Sequence, residues 1–284
     1  MESVLDVLKK SEAYFNKAGL ESPKIDAEWI VADTLGCKRL DLFLQWDRPM
    51  EEDALAVLRE RIQRRAKGEP LQYILGHVDF HDIRLNVAPG VLIPRPETEL
   101  LVDHIIGKLK DVESPRIVDL GTGSGAIALA LANALPDAKV LAVERSKEAL
   151  AQARANAESL GLRERVSFRS GDWLEGLSFE ADCIVSNPPY LTDEEWESAR
   201  PEVRDHEPRE ALVAADKGMA DLKTIMQSAL PCLAPGGLLA LETGIAQRDA
   251  LIEFANSVGY VEASMEKDDS GRDRFFFTRK VGAC

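Results

Sequence analysis

The sequence predicts an α/β protein in which a doubly wound, mainly parallel sheet follows a small all-helical N-terminal domain. Two observations lead to this prediction. After residue 115, short apolar segments typical of buried strands alternate with segments of helical periodicity. Residues 1–70, by contrast, show only the helical spacing of apolar residues. The length of 284 residues fits two domains of about 150 residues each.

Three helices are predicted in the N-terminal domain, residues 1–70. Ser3 is a candidate cap for the first helix, and Ser22 followed by Pro23 opens the second. The third begins near Glu51, and its last turns hold a dense basic stretch. That stretch fits either a solvated helix face, with cations near the helix C-terminus, or a contact surface for an acidic partner. Its basic residues are Arg59, Arg61, Arg64, Arg65 and Lys67.

Residues 71–95 are predicted to form a β-hairpin linker, and residues 96–284 the α/β domain. In the linker, short alternating segments at 72–75, 78–80 and 83–87 are separated by turn residues. In the α/β domain, strands are predicted at 116–120, 139–144, 166–168, 182–186, 238–242 and 274–278. Helical segments between them predict parallel neighbours.

The charge balance disfavours polyanionic partners. The chain has 35 basic and 49 acidic residues, a net charge of −14. Residues 1–95 hold 14 basic and 16 acidic residues, so the α/β domain carries a net −12. Charge of this sign opposes binding to a phosphate backbone or an anionic membrane surface. We therefore expect no direct nucleic-acid or membrane partner, and a cleft suited to a basic or neutral protein loop.

Cysteine and histidine usage predicts no metal site. His77 and His81 lie four residues apart on a predicted strand, which would place both on one exposed face. The scattered cysteines lack a Cys-x-x-Cys pair, which is typical of a reducing compartment. The N-terminus lacks signal-peptide character, and no apolar run reaches about 18 residues, so we expect a cytoplasmic protein. The cysteines are Cys37, Cys183, Cys232 and Cys284.

A glycine-rich loop follows the first predicted strand of the α/β domain. Ligands of open α/β sheets bind beyond the carboxyl ends of the strands, where glycines let the backbone approach closely. The helix that follows offers free N–H groups. The spacing is Gly-x-Gly-x-Gly rather than Gly-x-Gly-x-x-Gly, which weakens a nicotinamide or flavin interpretation. The candidate ligand-binding residues here are Asp119, Gly121, Thr122, Gly123, Ser124 and Gly125.

Acidic and aromatic residues follow the next two predicted strands. Glu144 lies about 20 residues after the glycine loop, where an acid can accept hydrogen bonds from both ribose hydroxyls. Asp172 can accept from an adenine amino group, and Trp173 offers an aromatic face. Each residue alone has an ordinary structural explanation. Together with the loop they predict an adenosine site.

The fourth predicted strand ends in Asn187-Pro188-Pro189-Tyr190. The two prolines stiffen the chain as it leaves the sheet. The Asn187 side-chain oxygen and the Pro188 carbonyl can accept the two hydrogens of a planar –NH₂ group, and Tyr190 supplies a packing face. This turn predicts a site that orients an amino or amide nitrogen.

These motifs together resemble the class I S-adenosylmethionine-dependent methyltransferases, and more closely the HemK/PrmC family of release factor glutamine N5-methyltransferases. At the second strand end, Glu144 stands where many relatives carry Asp. The matching segments are Ile93-Pro94-Arg95-Pro96-Glu97-Thr98-Glu99, the glycine loop, the Asn187–Tyr190 turn, Glu207-Pro208-Arg209 with Ala211-Leu212, and Gly271-Arg272-Asp273-Arg274.

The resemblance implies a seven-stranded methyltransferase sheet and methylation of the glutamine in the Gly-Gly-Gln motif of peptide chain release factors, which modulates translation termination. S-adenosyl-L-methionine would be the cofactor and S-adenosyl-L-homocysteine the product. The Asn187–Tyr190 turn would be catalytic and substrate-binding, with Asn187 also at the cofactor and Arg95 at the substrate. The helical domain would recognise the substrate, and we expect a monomer.

Three alternatives remain open from the sequence. Adenine N6 in DNA or RNA presents the same planar –NH₂ group, but it requires base flipping or a single strand and usually a basic groove. A related family methylates a glutamine of a ribosomal protein. A non-catalytic protein could retain the cofactor fold, although the intact Asn187–Tyr190 turn argues against this.

Overall fold

The computed structural model describes residues 2–176 and 180–282, so Cys284 lies outside the described residues. The chain divides into two compact units. Unit 1 comprises Met1–His77 and Arg200–His206, and unit 2 comprises Val78–Ala199 and Glu207–Cys284. None of the described helices is both long and apolar enough to cross a membrane.

The elements follow one another in chain order. The α-helices are α1 (Val4–Ala18), α2 (Pro23–Thr34), α3 (Glu52–Ala66), α4 (Leu71–Leu75), α5 (Pro96–Leu109), α6 (Ala126–Ala134), α7 (Lys147–Ser159), α8 (Asp193–Glu197), α9 (Pro201–Arg204), α10 (Ala215–Gly218), α11 (Ala220–Cys232) and α12 (Arg248–Val258). Short 3-10 helices cover Arg39–Leu44 and Arg209–Ala211. The strands are β1 (His77–Phe80), β2 (Ile83–Asn86), β3 (Arg116–Leu120), β4 (Lys139–Glu144), β5 (Val166–Ser170), β6 (Ala181–Ser186), β7 (Leu233–Glu242), β8 (Val261–Lys267) and β9 (Asp273–Arg279).

Unit 1 is helical, and its helices begin where the sequence predicts. The Ser3 side chain accepts from the Asp6 N–H while the Asp6 carboxylate accepts from the Ser3 N–H, a capping box that starts α1. α2 begins at Pro23, whose missing N–H costs nothing in a first turn. Apolar side chains of α1, α2 and α3, among them Phe15 and Ile30, form one buried core.

The basic stretch of α3 is largely paired within unit 1. Arg61 bonds Asp33 at 2.7 Å, and Arg64 bonds Glu69 at 2.6 Å. Arg65 is buried and reaches both Asp26, at 2.7 Å, and Glu202, at 2.9 Å. The prediction of a solvated face is therefore wrong at Arg65, because its guanidinium joins α3 to α2 and α9.

Two sequence predictions in the linker are wrong. Residues 72–75 form part of α4, because Tyr73 and Ile74 are buried on a single helical turn that Gly76 ends in a left-handed conformation. His77 and His81 do not share a strand face. His81 lies in the turn between β1 and β2, with a φ of 50°. The hairpin itself forms from β1 and β2.

Unit 2 contains the predicted doubly wound sheet. Its described strands follow the order β5-β4-β3-β6-β7-β9-β8, with β5 to β7 parallel and β9 antiparallel to both neighbours. Apolar cores cover both faces, one around α5 and α6 and the other around α11 and α12. This confirms the fold class. The edge strand β8 was not predicted from the sequence, because its residues are half-buried or exposed and lack a continuous apolar run.

Chain order reverses between β3 and β6, which is the topological switch point of the sheet. Leu120 at the end of β3 pairs with Val143 of β4 and with Ser186 of β6, and Glu144 pairs with Ser170 of β5. Ligands of open α/β sheets bind in the crevice beyond such a switch point.

Candidate active site

A cleft opens beyond the switch point, within unit 2. Its empty volume is about 1040 Å³, part of it open to solvent, whereas small-molecule sites typically hold about 300–1,000 Å³. Of the predicted site residues, the described lining includes Arg95, Gly121, Thr122, Gly123, Ser124, Glu144, Asp172, Trp173, Asn187 and Pro189. It does not include Asp119, Gly125, Pro188 or Tyr190.

The glycine loop needs its glycines for conformation and for space. Gly121, Gly123 and Gly125 have φ values of 67°, 58° and 89°, a region that L side chains rarely adopt. A Cβ at Gly125 would lie 2.9 Å from the Leu129 side chain, and one at Gly121 would lie 3.3 Å from the Trp173 ring. The loop therefore presents its bare backbone to the cleft.

Asp119 supports the loop from below. Its Oδ2 accepts hydrogen bonds from the Thr122 hydroxyl, at 2.5 Å, and from the Ala128 N–H, at 3.1 Å. Its Oδ1 has no hydrogen-bond partner among the described residues. Complete burial raises the pKa of this carboxyl to about 7. Asp119 thus holds the glycine loop through Thr122 and Ala128.

Glu144 bridges the loop and the next helix. One carboxylate oxygen accepts from the Gly123 N–H at 2.9 Å, and the other accepts from the Ser146 N–H at 2.8 Å. Each carboxylate oxygen can accept a second hydrogen bond. The carboxylate is thus fixed in the cleft with capacity left for two hydroxyl groups.

Trp173 forms the far wall beside Asp172. Its backbone has a φ of 45°, which is uncommon for a bulky residue. The indole ring packs over Gly121. Burial raises the pKa of Asp221, and the Trp173 side chain opposes that rise. Asp172 lies exposed at the cleft. The aromatic face therefore lies against the glycine loop.

On the opposite side of the switch point, Asn187 is held by a buried chain of hydrogen bonds. Its amide Nδ2 donates to the Thr98 hydroxyl at 3.2 Å. The Thr98 hydroxyl donates to Glu242 Oε2 at 2.7 Å. Thr98 and Glu242 are both buried. Burial raises the pKa of Glu242, while the hydrogen bond from Thr98 opposes that rise.

Tyr190 and Arg274 complete this chain. The Tyr190 hydroxyl donates to Glu242 Oε1 at 3.1 Å, and burial raises the pKa of Tyr190. Arg274 lies over the Tyr190 ring at 5.7 Å and donates to the Thr243 carbonyl at 3.0 Å. Both oxygens of the Glu242 carboxylate are therefore occupied, with a cation close by.

Arg95 belongs to a separate ion pair at the cleft wall. Its Nη2 donates to Glu207 Oε1 at 2.6 Å, and the other oxygen of Glu207 accepts from the Ile93 N–H at 3.2 Å. Glu207 is buried, whereas Arg95 is half-buried and lines the cleft. The pair ties the segment before α5 to the segment after α9.

Two family models match the chain. The PrmC N-terminal domain matches residues 6–76, and the methyltransferase small domain matches residues 96–201. Curated relatives named release factor glutamine methyltransferase match almost end to end. The Geobacter sulfurreducens protein is 38% identical over 96% of this chain and 95% of its own length. The Deinococcus radiodurans protein is 39% identical over 98% of both.

The chain belongs to the release factor glutamine methyltransferase family. The Salmonella typhimurium member is 41% identical over 89% of this chain and 91% of its own length. The family resemblance inferred from the motifs is thereby confirmed.

Solved structures with lower identity share the fold of unit 2. A methyltransferase from Pyrococcus furiosus has a TM-score of 0.52 at 20% identity and covers 69% of this chain and 88% of that chain. A 16S rRNA methyltransferase from T. thermophilus, solved with AdoMet and guanosine, has a TM-score of 0.53 at 21% identity and covers 72% of this chain and 49% of that chain.

Sequence reasoning missed Glu242 and the function of Thr98, which hold Asn187 in place, and it also missed the buried acid Asp221. Glu242 could have been found, because it ends a predicted parallel strand at the same sheet edge as Asn187. Asp221 lies near the start of α11, a helix that the sequence analysis did not place. Among the described residues, no group of three or more His, Cys, Asp or Glu side chains could hold a metal ion.

Proposed function

We propose that this protein transfers a methyl group from S-adenosyl-L-methionine to the side-chain amide nitrogen of the glutamine in the Gly-Gly-Gln motif of peptide chain release factors. The supporting observation is that one cleft combines the glycine loop and Glu144 with Asn187 at the next strand end. Membership of the release factor glutamine methyltransferase family, with near full-length matches, favours this substrate over the alternatives.

The residues of the cleft fit the cofactor. The bare loop backbone admits close approach, the Glu144 carboxylate has acceptor capacity for two ribose hydroxyls, and Trp173 offers a ring beside the exposed Asp172. When bound, S-adenosyl-L-methionine would supply an electrophilic methyl group, and S-adenosyl-L-homocysteine would be the product. Asn187, which also lines the cleft, would contact both cofactor and acceptor.

The acceptor side works by positioning. An amide nitrogen is a poor nucleophile because its lone pair is delocalised into the carbonyl. The Asn187 oxygen and the Pro188 carbonyl accept the two N–H groups of the substrate and aim its nitrogen at the methyl group. The same acceptors stabilise positive charge that develops on the nitrogen. The surplus proton passes to solvent water after transfer, when the nitrogen has become acidic.

Mass spectrometry tests the substrate. The full-length protein is incubated with S-adenosyl-L-methionine carrying a labelled methyl group and, separately, with a release factor, a ribosomal protein and a DNA oligonucleotide. We expect the mass of one added CH₂ on the Gly-Gly-Gln peptide alone. A release factor with Glu in place of that Gln, and the Asn187→Ala enzyme, are the matched controls. Label on the ribosomal protein or the oligonucleotide, with none on the release factor, would overturn the proposal.

We also propose that unit 1 recognises the folded release factor, as the resemblance implies for residues 1–70. In its support, the 3-10 helix Arg39–Leu44 leaves apolar side chains in solvent, with Leu44 86% and Phe43 46% exposed. Replacing both by Ser should raise KM for the intact factor about fivefold or more, with KM for a short Gly-Gly-Gln peptide unchanged. Val281→Ser, at another exposed apolar position, is the control. Equal effects on factor and peptide would contradict the proposal.

Monomeric state, the cytoplasmic location and the lack of a nucleic-acid partner stay predictions from the sequence. Size-exclusion chromatography with light scattering tests the first. The oligonucleotide sample of the mass-spectrometry experiment tests the last for DNA as a methyl acceptor.

A further inference from the structure

Thr98 stands between the Asn187 amide and a buried carboxylate. Its hydroxyl donates to Glu242 Oε2 at 2.7 Å, and Asn187 Nδ2 lies 3.2 Å from the same hydroxyl oxygen. Thr98 is 3% exposed and Glu242 is 1% exposed, so water cannot substitute for either partner.

The direction of each hydrogen bond follows from the chemistry of the groups. Glu242 Oε2 accepts the single hydrogen of the Thr98 hydroxyl. The Thr98 oxygen is then left as an acceptor toward Asn187. Only the nitrogen end of the Asn187 amide can donate to it, which turns the oxygen end of that amide away from Thr98.

Arg274 lies beside this network. Its Nη1 is 3.5 Å from the Tyr190 hydroxyl, and its positive charge lowers the pKa of Glu242 against the larger rise that burial causes. The second oxygen of Glu242 is occupied by Tyr190 at 3.1 Å. With both oxygens engaged, the carboxylate has no freedom to release Thr98.

We infer that Thr98 and Glu242 are positioning residues that fix the direction of the Asn187 amide, and thereby make the cleft select a side-chain amide over a carboxylate. This inference rests on the proposed function, because it takes the glutamine side chain as the group that Asn187 receives. Glutamine and glutamate have nearly the same shape. Glutamine offers two N–H donors to the Asn187 oxygen, whereas ionised glutamate offers only acceptors, which that oxygen repels.

Substitutions of Thr98 test the inference in the full-length enzyme. Thr98→Val keeps the shape and removes the hydroxyl, and Thr98→Ser keeps the hydroxyl. The measurements are the single-turnover methylation rate on a release factor, the dissociation constant of S-adenosyl-L-methionine, and inhibition by the release factor carrying Glu in place of the target Gln.

In Thr98→Val the Asn187 amide is free to turn. We expect the methylation rate to fall about tenfold or more. The affinity for the Glu-containing factor, divided by the affinity for the Gln form, should rise about tenfold. Cofactor affinity should stay unchanged. Thr98→Ser should behave like the parent enzyme. In an Asn187→Ala background, Thr98→Val should cause no further loss, because the residue acts through Asn187.

Unchanged Gln-versus-Glu discrimination in Thr98→Val, or effects that multiply in the double variant, would overturn the inference and leave the proposed function intact. A parent enzyme that fails to methylate the release factor would overturn the proposed function and the inference with it. Should Thr98→Val fail to fold, Thr98→Ala also lacks the hydroxyl and carries the same expectations.

Discussion

The cleft has two halves that hold their polar groups by different means. In the half proposed to bind the cofactor, called the cofactor half, Asp119 and Thr122 bond across 3 residues of chain, and Glu144 and Gly123 across 21. In the half proposed to bind the methyl acceptor, called the acceptor half, Asn187 and Thr98 are 89 residues apart, and Thr98 and Glu242 are 144 apart. The first half is mainly backbone shape fixed by local sequence. The second is a set of side chains that only the completed sheet brings together.

This difference separates two tasks. A cofactor that is the same in every reaction cycle can be held by backbone N–H groups and one carboxylate. Selecting one nitrogen of a protein substrate needs a side-chain acceptor whose direction is fixed, and that requires a network. Variants in the two halves should therefore change different kinetic quantities.

The largest effect is expected from Asn187→Ala in the acceptor half. This change removes the side-chain oxygen that would stabilise the positive charge developing on the substrate nitrogen. We therefore expect kcat to fall about 10²- to 10³-fold. The dissociation constant of S-adenosyl-L-methionine, from isothermal titration calorimetry, should change little. A turnover within a few-fold of the parent enzyme would show that Asn187 does not orient the acceptor.

The second-largest effect is expected from Asp119→Asn, which replaces a buried acid in the cofactor half. Burial raises the pKa of Asp119 to about 7, so its folded form retains a proton that the unfolded chain releases at lower pH. Stability from this group is present at low pH and is lost as pH rises from about 4 toward 7. Asn does not titrate. The unfolding free energy of Asp119→Asn minus that of the parent enzyme should therefore increase by a few kcal/mol as pH rises from about 4 to about 7.

Urea unfolding of Asp119→Asn and the parent enzyme without cofactor, at pH 4.5 and at pH 7.5, checks this expectation. Burial also raises the pKa of Glu242, although both of its oxygens are hydrogen-bonded, whereas Asp119 Oδ1 is unpaired among the described residues. The same difference in unfolding free energy between Asp119→Asn and the parent at both pH values would contradict proton retention by Asp119 in the folded state.

A smaller effect is expected from Glu144→Gln in the cofactor half. Glu144 accepts from two backbone N–H groups, and the Gln amide would set a donor against one of them. We expect the dissociation constant of S-adenosyl-L-methionine to rise about 10- to 100-fold. Single-turnover rates at saturating cofactor should recover. Asp172→Asn, an exposed change at the same wall, is the control and should have a weaker effect.

The smallest effect is expected from Tyr190→Phe. This change removes one hydrogen bond to Glu242 and keeps the ring beneath Arg274. The turnover number should fall about threefold to tenfold with cofactor affinity unchanged. If instead cofactor affinity falls and turnover does not, the acceptor network extends into the cofactor half.

The division between the two halves also separates what the sequence predicts from what it does not. The glycine loop, Glu144 and Asn187 were predicted because each follows a recognisable strand, and parallel strands end at one edge of a sheet. Glu242 was missed as a site residue although it ends a predicted strand, since its partner Thr98 is 144 residues away and no local pattern reports the pairing. Arg65 was misjudged for the same reason, because its partners Asp26 and Glu202 lie on other helices.

The central claim is that the two halves of the cleft have separate functions, and one measurement tests it directly. Single-turnover methylation of a release factor is followed against S-adenosyl-L-methionine concentration for the parent enzyme, Asn187→Ala and Glu144→Gln. The account predicts a lower plateau with an unchanged midpoint for Asn187→Ala, and a shifted midpoint with a recovered plateau for Glu144→Gln. Plateau and midpoint that change together in both variants would contradict it.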